Sequence, residues 1–129
     1  IHISSDEGKT WETAPDEMLI DPACNASIIR YTRTADGYDH NRLLFSNAKS
    51  KNKRRNMTVR ISYDEGNTWS DGRTIYAGDS AYSTLTVLEN GEIGILFEKD
   101  DHKENVFVRF SLEWLTEGAD SYEAPKDTK

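Results

Sequence analysis

The chain holds a single cysteine, Cys24, in 129 residues. No intrachain disulfide can form, and no thiolate metal site can be assembled. The three histidines, His2, His40 and His102, stand far apart and show none of the spacings of a zinc site. No long apolar run occurs and the mean hydropathy is −0.77, which excludes a membrane-spanning helix. Positive charge is in the minority: 16 Lys and Arg stand against 23 Asp and Glu, a formal net charge of −7. A general binder of nucleic acid or of anionic membrane is therefore not expected. No helical period is sustained except over 112–116. An initiator methionine and a signal sequence are missing too. The chain opens on Ile1-His2-Ile3 as if inside a strand, and reads as a piece of a longer polypeptide. Its length suffices for one small domain with a modest core.

Against these absences stands a repeat. Residues 4–11 read Ser-Ser-Asp-Glu-Gly-Lys-Thr-Trp, and residues 62–69 read Ser-Tyr-Asp-Glu-Gly-Asn-Thr-Trp. Both fit S-x-D-x-G-x-x-W. The fixed positions are Ser4, Asp6, Gly8 and Trp11 in the first copy, and Ser62, Asp64, Gly66 and Trp69 in the second. Each copy follows an alternating apolar run, Ile1 and Ile3 in one case and Met57, Val59 and Ile61 in the other. The pattern predicts a strand entering a tight turn. The Asp accepts turn N–H groups, the Gly permits a positive φ, and the Trp folds back onto the sheet. The copies start 58 residues apart (62 − 4), near the period of a propeller blade of several short strands.

Short runs rich in β-branched, aliphatic and aromatic residues occupy 27–32, 42–46, 57–63, 74–77, 83–88, 93–98 and 106–110. Hairpin turns are predicted at Glu89-Asn90-Gly91 and across 100–104. Residues 36–40 and the basic stretch 49–55 read as solvated connections. The polar segment 119–129, with Pro125, reads as a fraying end or linker. The fold class is all-β.

The repeated motif resembles the Asp-box, or BNR repeat, of the sialidase (neuraminidase) superfamily. The chain is similar to the bacterial-type exo-α-sialidases of that group up to about residue 112. The resemblance implies a partial six-bladed β-propeller, about two antiparallel four-stranded blades. In the family the box joins the third and fourth strands of a blade. Residues 1–26 then form an incomplete blade, 27–77 a full one, 82–112 a three-stranded last blade, and 113–129 a C-terminal tail. The last blade of such a propeller is closed by a strand from the beginning of the protein. The chain alone is thus expected to leave unpaired edges, and to be poorly stable or prone to associate.

Residues 79–85, Asp-Ser-Ala-Tyr-Ser-Thr-Leu, precede a strand ending Phe97-Glu98. This is similar to the family segment in which a Tyr opens the innermost strand of the last blade, so Tyr82 matches the catalytic nucleophile. A phenol suits that task because the anomeric carbon of a sialic acid bears a carboxylate, which would repel an approaching Asp or Glu. Arg54 precedes the strand that enters the second box, and matches one of three arginines gripping the substrate carboxylate. A planar guanidinium makes paired hydrogen bonds there that Lys cannot. Arg55, one residue along, points the other way in an extended segment. Glu98 matches a supporting carboxylate that orients another arginine. Asn25, in Cys24-Asn25-Ala26-Ser27, stands where the family carries a Gln bordering the substrate pocket.

The family's acid/base Asp, the Glu partner of the nucleophile and two further arginines come earlier than Ile1, so the chain alone is expected to be inactive. The implied function is part of a retaining exo-α-sialidase acting on sialylated glycans, with the remainder of the propeller as its partner. The parent protein would be secreted, periplasmic or at the cell surface. No cofactor is implied. Asp6 and Asp64 invite comparison with a metal site, but no EF-hand-like ligand series surrounds them and a turn accounts for them, so no metal is expected. Two other readings are a non-catalytic Asp-box propeller used for binding or scaffolding, and a trans-sialidase.

Overall fold

The computed structural model describes residues 1–13 and 17–126, and its strands follow the alternation of the sequence. Strands β1 (His2–Ile3) and β2 (Glu12–Thr13) form a hairpin around the first box. The remaining strands are β3 (Ser27–Thr32), β4 (Arg42–Ala48), β5 (Arg55–Ser62), β6 (Arg73–Val87), β7 (Ile93–Lys99) and β8 (Glu104–Phe110). They pair antiparallel in sequence order into one curled six-stranded sheet, the architecture of a partial β-propeller. A single turn of helix, α1 (Leu112–Leu115), follows. Ser111 caps it by accepting the Trp114 N–H at 3.1 Å.

Strand β6 departs from the sequence reading, which broke it into 74–77 and 83–88. It runs unbroken over 15 residues. Its first part pairs with β5 and its second with β7, with a register shift between Ser80 and Ser83. The backbone at the change of partner stays hydrogen-bonded: the Ser80 N–H donates to Arg54 O at 2.9 Å, and the Asp100 N–H to Asp79 O at 2.8 Å. Gly78 sits at the bend, where an added Cβ would fall 2.4 Å from the Tyr76 hydroxyl. The chain thus changes pairing partner from β5 to β7 within a single strand.

The core lies inside the curl. Leu44, Met57, Val59 and Ile61 from β4 and β5 meet Leu85, Ile93, Ile95, Phe97 and Phe110 from β6 to β8, and Leu112 and Leu115 close one end. Polar ties cross between the two halves, Ser46 Oγ to Ser83 Oγ at 2.8 Å and the Leu85 N–H to Ser27 Oγ at 3.1 Å.

Both boxes adopt the same turn. In the second, Ser62 Oγ accepts the Gly66 N–H at 2.9 Å, and Asp64 accepts the Thr68 N–H at 2.8 Å and the Thr68 hydroxyl at 2.6 Å. In the first, Ser4 Oγ accepts the Gly8 N–H at 2.7 Å and Asp6 accepts the Thr10 N–H at 2.8 Å. The Thr10 amide and hydroxyl hold the Asp6 carboxyl down at about 2, and the Thr68 hydroxyl and amide likewise lower that of Asp64. The tryptophans differ. Trp69 is buried with its ring 5.7 Å from Phe45, whereas Trp11 is 61% exposed above its two-stranded hairpin.

Gly66 has φ +88°, and a Cβ there would meet Trp69 at an ordinary 3.6 Å. The cost of Gly66→Ala is therefore backbone strain alone, about 1–2 kcal/mol. Gly8→Ala, in the exposed hairpin, should leave global unfolding almost unchanged. Urea titrations of the two variants check this, and equal losses would contradict it.

The C-terminal segment does not fray as expected. Asp120 takes two hydrogen bonds from Arg42, each within 2.8 Å, and one from the Tyr63 hydroxyl at 2.6 Å. Tyr122 packs its ring 6.0 Å from Tyr31 and 6.1 Å from Tyr38, and the Lys126 N–H donates to Gly37 O at 3.0 Å. Partners 57 or more residues away in sequence hold this segment, so its polar composition is no guide to its order. Residues 127–129 of the tail, and 14–16 of the first segment, lie outside the described residues.

Candidate active site

Tyr82 stands at the start of the part of β6 that pairs with β7. Ala81, Ser83 and Leu85 turn inward and are buried, which leaves Tyr82, Thr84 and Thr86 on the open face. The register shift between Ser80 and Ser83 takes the Tyr82 amide out of the ladder, and Glu98 Oε2 accepts it at 3.1 Å. Glu98 reaches that position from β7, where Phe97 points into the core and Leu96 and Glu98 point out.

Arg54 arrives from the other side. A positive φ at Asn56 (66°) and a register shift between Arg55 and Met57 end the regular pairing of β5. The Ser80 N–H then ties Arg54 O two residues upstream of Tyr82. The Arg54 guanidinium lies 5.4 Å from the Tyr82 ring centroid, within cation–π range. Its Nη2 donates to Ala23 O at 3.1 Å. That bond connects the site to residues 21–25, where the Cys24 N–H is held by Asp21 at 2.8 Å and Ala23 takes a φ of 57°. Asn47 in turn holds this stretch, through Ile20 O at 2.9 Å and Asp21 Oδ2 at 3.0 Å. Burial pushes the Cys24 thiol up, against the pull of the Arg54 charge.

Tyr82, Glu98 and Asn25 line one shallow depression of about 220 Å³, together with Thr84, Leu96 and Asn105. A second recess of about 290 Å³ lies on the Arg54 side, bounded by Lys53, Asp79, Ser80, Asp101 and His102. All four residues singled out from sequence for a site, Tyr82, Arg54, Asn25 and Glu98, therefore face these two adjoining recesses. The box residues lie elsewhere, on the turns described above. Tyr82 is 46% exposed.

Sequence reasoning missed His102. Its Nε2 lies 3.5 Å from Glu98 Oε2, so Glu98 sits between the Tyr82 amide and an imidazole. The hairpin that brings it there has three successive left-handed residues, Asp100, Asp101 and His102, at φ 51°, 55° and 64°. Asp and His tolerate that region better than most residues, which was the one available signal. Among the described residues no three His, Cys, Asp or Glu side chains converge on a common point.

The BNR repeat-like domain family matches residues 2–95. The chain belongs to that family. Its BNR-repeat relatives are sialidases: 37% identity over 118 residues links it to the sialidase of Micromonospora viridifaciens, covering 89% of this chain and 18% of that protein. An exo-alpha-sialidase of Aspergillus fumigatus is 34% identical over 122 residues, covering 81% of the chain and 29% of the relative. Among solved structures, the Hadza microbial sialidase Hz136 superposes with a TM-score of 0.74 at 29% identity, over 88% of this chain and 23% of that one. The intramolecular trans-sialidase from Ruminococcus gnavus, in complex with oseltamivir carboxylate, gives a TM-score of 0.66 at 25% identity, over 88% of this chain and 28% of that one. This BNR-repeat chain is thus a sialidase-family protein that spans less than a third of the length of the relatives it matches.

Proposed function

We propose that this chain supplies the nucleophile and one arm of the carboxylate clamp to a retaining exo-α-sialidase. The observation that carries the reading is the placement of the Arg54 guanidinium 5.4 Å from the ring of an exposed Tyr82. Tyr82 Oη passes its proton to the Glu partner and attacks the anomeric carbon of a terminal sialic acid, the glycosidic oxygen leaves with a proton from the acid/base Asp, and a sialosyl–tyrosine aryl ketoside forms. Arg54 makes charge-assisted hydrogen bonds to the substrate carboxylate and fixes the ring over the phenol. Water then cleaves the linkage to Tyr82, giving sialic acid with its configuration retained. Glu98 holds the Tyr82 backbone, and Asn25 borders the sugar.

Blade boundaries at 27–77 and 82–112 belong to the same proposal, as does a remainder of the propeller that brings the acid/base Asp, the Glu partner of Tyr82 and the other two arginines. By this account the 129-residue chain releases no fluorophore from a fluorogenic sialoside, while the complete enzyme does. In the complete enzyme Arg54→Lys keeps the charge and loses the paired geometry. Its KM rises about tenfold with a smaller change in kcat. An unchanged KM would remove Arg54 from the clamp.

A trans-sialidase is the second reading, favoured by the similarity to the Ruminococcus gnavus intramolecular trans-sialidase. Product analysis separates the two: free sialic acid supports hydrolysis, and an anhydro or transferred product supports the second reading.

A further inference from the structure

Between Asn41 and Asp64 the sequence has no acidic residue, yet Arg42, Lys49, Lys51, Lys53, Arg54, Arg55 and Arg60 fall in that span. In a protein with a net charge of −7 this is a sharp local reversal of sign. Arg42 and Arg60 are buried, and Lys49 Nζ donates to Asp71 O at 2.8 Å. Lys51, Lys53, Arg54 and Arg55 are all exposed, on the loop from β4 to β5 and on the first residue of β5.

The loop is braced. The Lys49 N–H donates to Asn56 O at 2.9 Å, Asn56 Nδ2 to Lys49 O at 3.2 Å, and the Arg55 N–H to Lys53 O at 2.9 Å. Its charges therefore emerge from a fixed base beside the candidate site, with Arg54 over Tyr82 and Lys53 on the neighbouring recess. The recess itself is balanced, with Lys53 and Arg54 against Asp79 and Asp101. The excess of positive charge lies on the loop, where residues 49–55 carry five cations and no carboxylate.

We infer that residues 49–55 form an approach surface for polyanionic glycans, chains bearing several sialic acid carboxylates, with one terminal acid at Tyr82 and its neighbours over the loop. The identity of the ligand rests on the sialidase reading, and the charge argument does not. Lysines on flexible stems act as point charges that attract without demanding one geometry. A field opposite in sign to the ligand raises encounter rates and local concentration, and falls off over about 8 Å at physiological salt. That range spans adjacent sugars.

The test is fluorescence anisotropy on the complete enzyme, with labelled thio-linked analogues, which resist cleavage, of an eight-residue oligosialoside and of monosialyl lactose. The oligosialoside should bind roughly tenfold or more tightly at low salt, and the gap should close as salt rises. Lys51→Glu/Asn52→Glu should abolish the gap and leave monosialoside affinity within about twofold, since neither residue lines either recess. Circular dichroism confirms that the variant keeps its fold. No gap in the wild type, or a gap that survives in the variant, overturns the proposal. Equal affinity for an oligonucleotide of the same charge also overturns it, because the surface would then read charge alone. Failure of the sialidase reading looks different: the charge-dependent gap remains while the complete enzyme turns over no sialoside.

Discussion

Replacing Tyr82 by Phe in the complete enzyme lowers kcat/KM on a sialoside by at least ~10³-fold, or about 4 kcal/mol of transition-state stabilisation at 1.36 kcal/mol per decade. The substitution removes one oxygen from a side chain that is 46% exposed, so the core and the sheet lose nothing. Its backbone is held separately, by the bond from the Tyr82 N–H to Glu98, which Phe keeps. The ring face toward Arg54 also survives, so substrate binding should change little. A collapse in kcat with a nearly constant KM is therefore the signature of a lost nucleophile, and a misplaced clamp would show mainly in KM. Turnover within tenfold of wild type would take the nucleophile away from Tyr82.

The largest effect on stability is expected at Arg42. Its side chain is 1% exposed and is gripped on both sides, by Asp39 at 2.7 and 2.9 Å and by Asp120 at 2.7 and 2.8 Å, with Thr32 Oγ1 accepting at 3.1 Å. Burial works against the guanidinium charge, but the two carboxylates outweigh it and raise its pKa. Burial also opposes the charge on Asp120, yet hydrogen bonds from Arg42 and Tyr63 keep that carboxyl low. The Tyr63 hydroxyl is pushed up to about 12, by burial first and then by its bond to Asp120.

Arg42→Met fills similar space but leaves Asp120, only 14% exposed, without its cation. The expected loss is about 3 kcal/mol, at the low end for a broken buried pair because Asp39 stays 30% exposed and can rehydrate. The C-terminal segment should come loose with it, as increased proteolysis around Tyr122. A loss under about 1 kcal/mol, with the segment still protected, would show that the network does not hold it.

The same network sets an acid limit. The Arg42 hydrogen bonds keep Asp39 down at about 2, against an ordinary value of about 3.9. A carboxyl depressed in the folded state stabilises it above the unfolded value. That contribution is complete above about pH 4 and is lost as pH falls toward 2. Arg42→Met should flatten this limb of the stability profile.

What could be read from the sequence had local causes. The turn at 62–69 was legible because Ser62, Asp64, Gly66 and Trp69 each meet a need within a few residues. Tyr82 was legible through the short segment 79–85 that surrounds it, though its outward phase became visible only in the structure. The illegible parts depend on distance. Nothing near Arg42 announces Asp120, and nothing in the polar tail announces Tyr31 and Tyr38 as ring partners for Tyr122. The two boxes were equal as sequence, yet Trp69 is buried and Trp11 exposed, because burial depends on the strands a box sits against. The run of small residues at 78–81 predicts a break in β6, whereas the backbone there finds partners in Arg54 and Asp100. His102 reaches Glu98 through a left-handed hairpin that composition does not encode.

The reading of the site rests on one bond, the one proposed to form between Tyr82 Oη and the anomeric carbon. Rapid acid quenching of the complete enzyme during turnover, followed by peptide mapping, looks for it directly. A peptide containing Tyr82 should be heavier by one sialosyl residue, and this adduct should be absent in Tyr82→Phe. A sialosyl adduct on another side chain would contradict that reading.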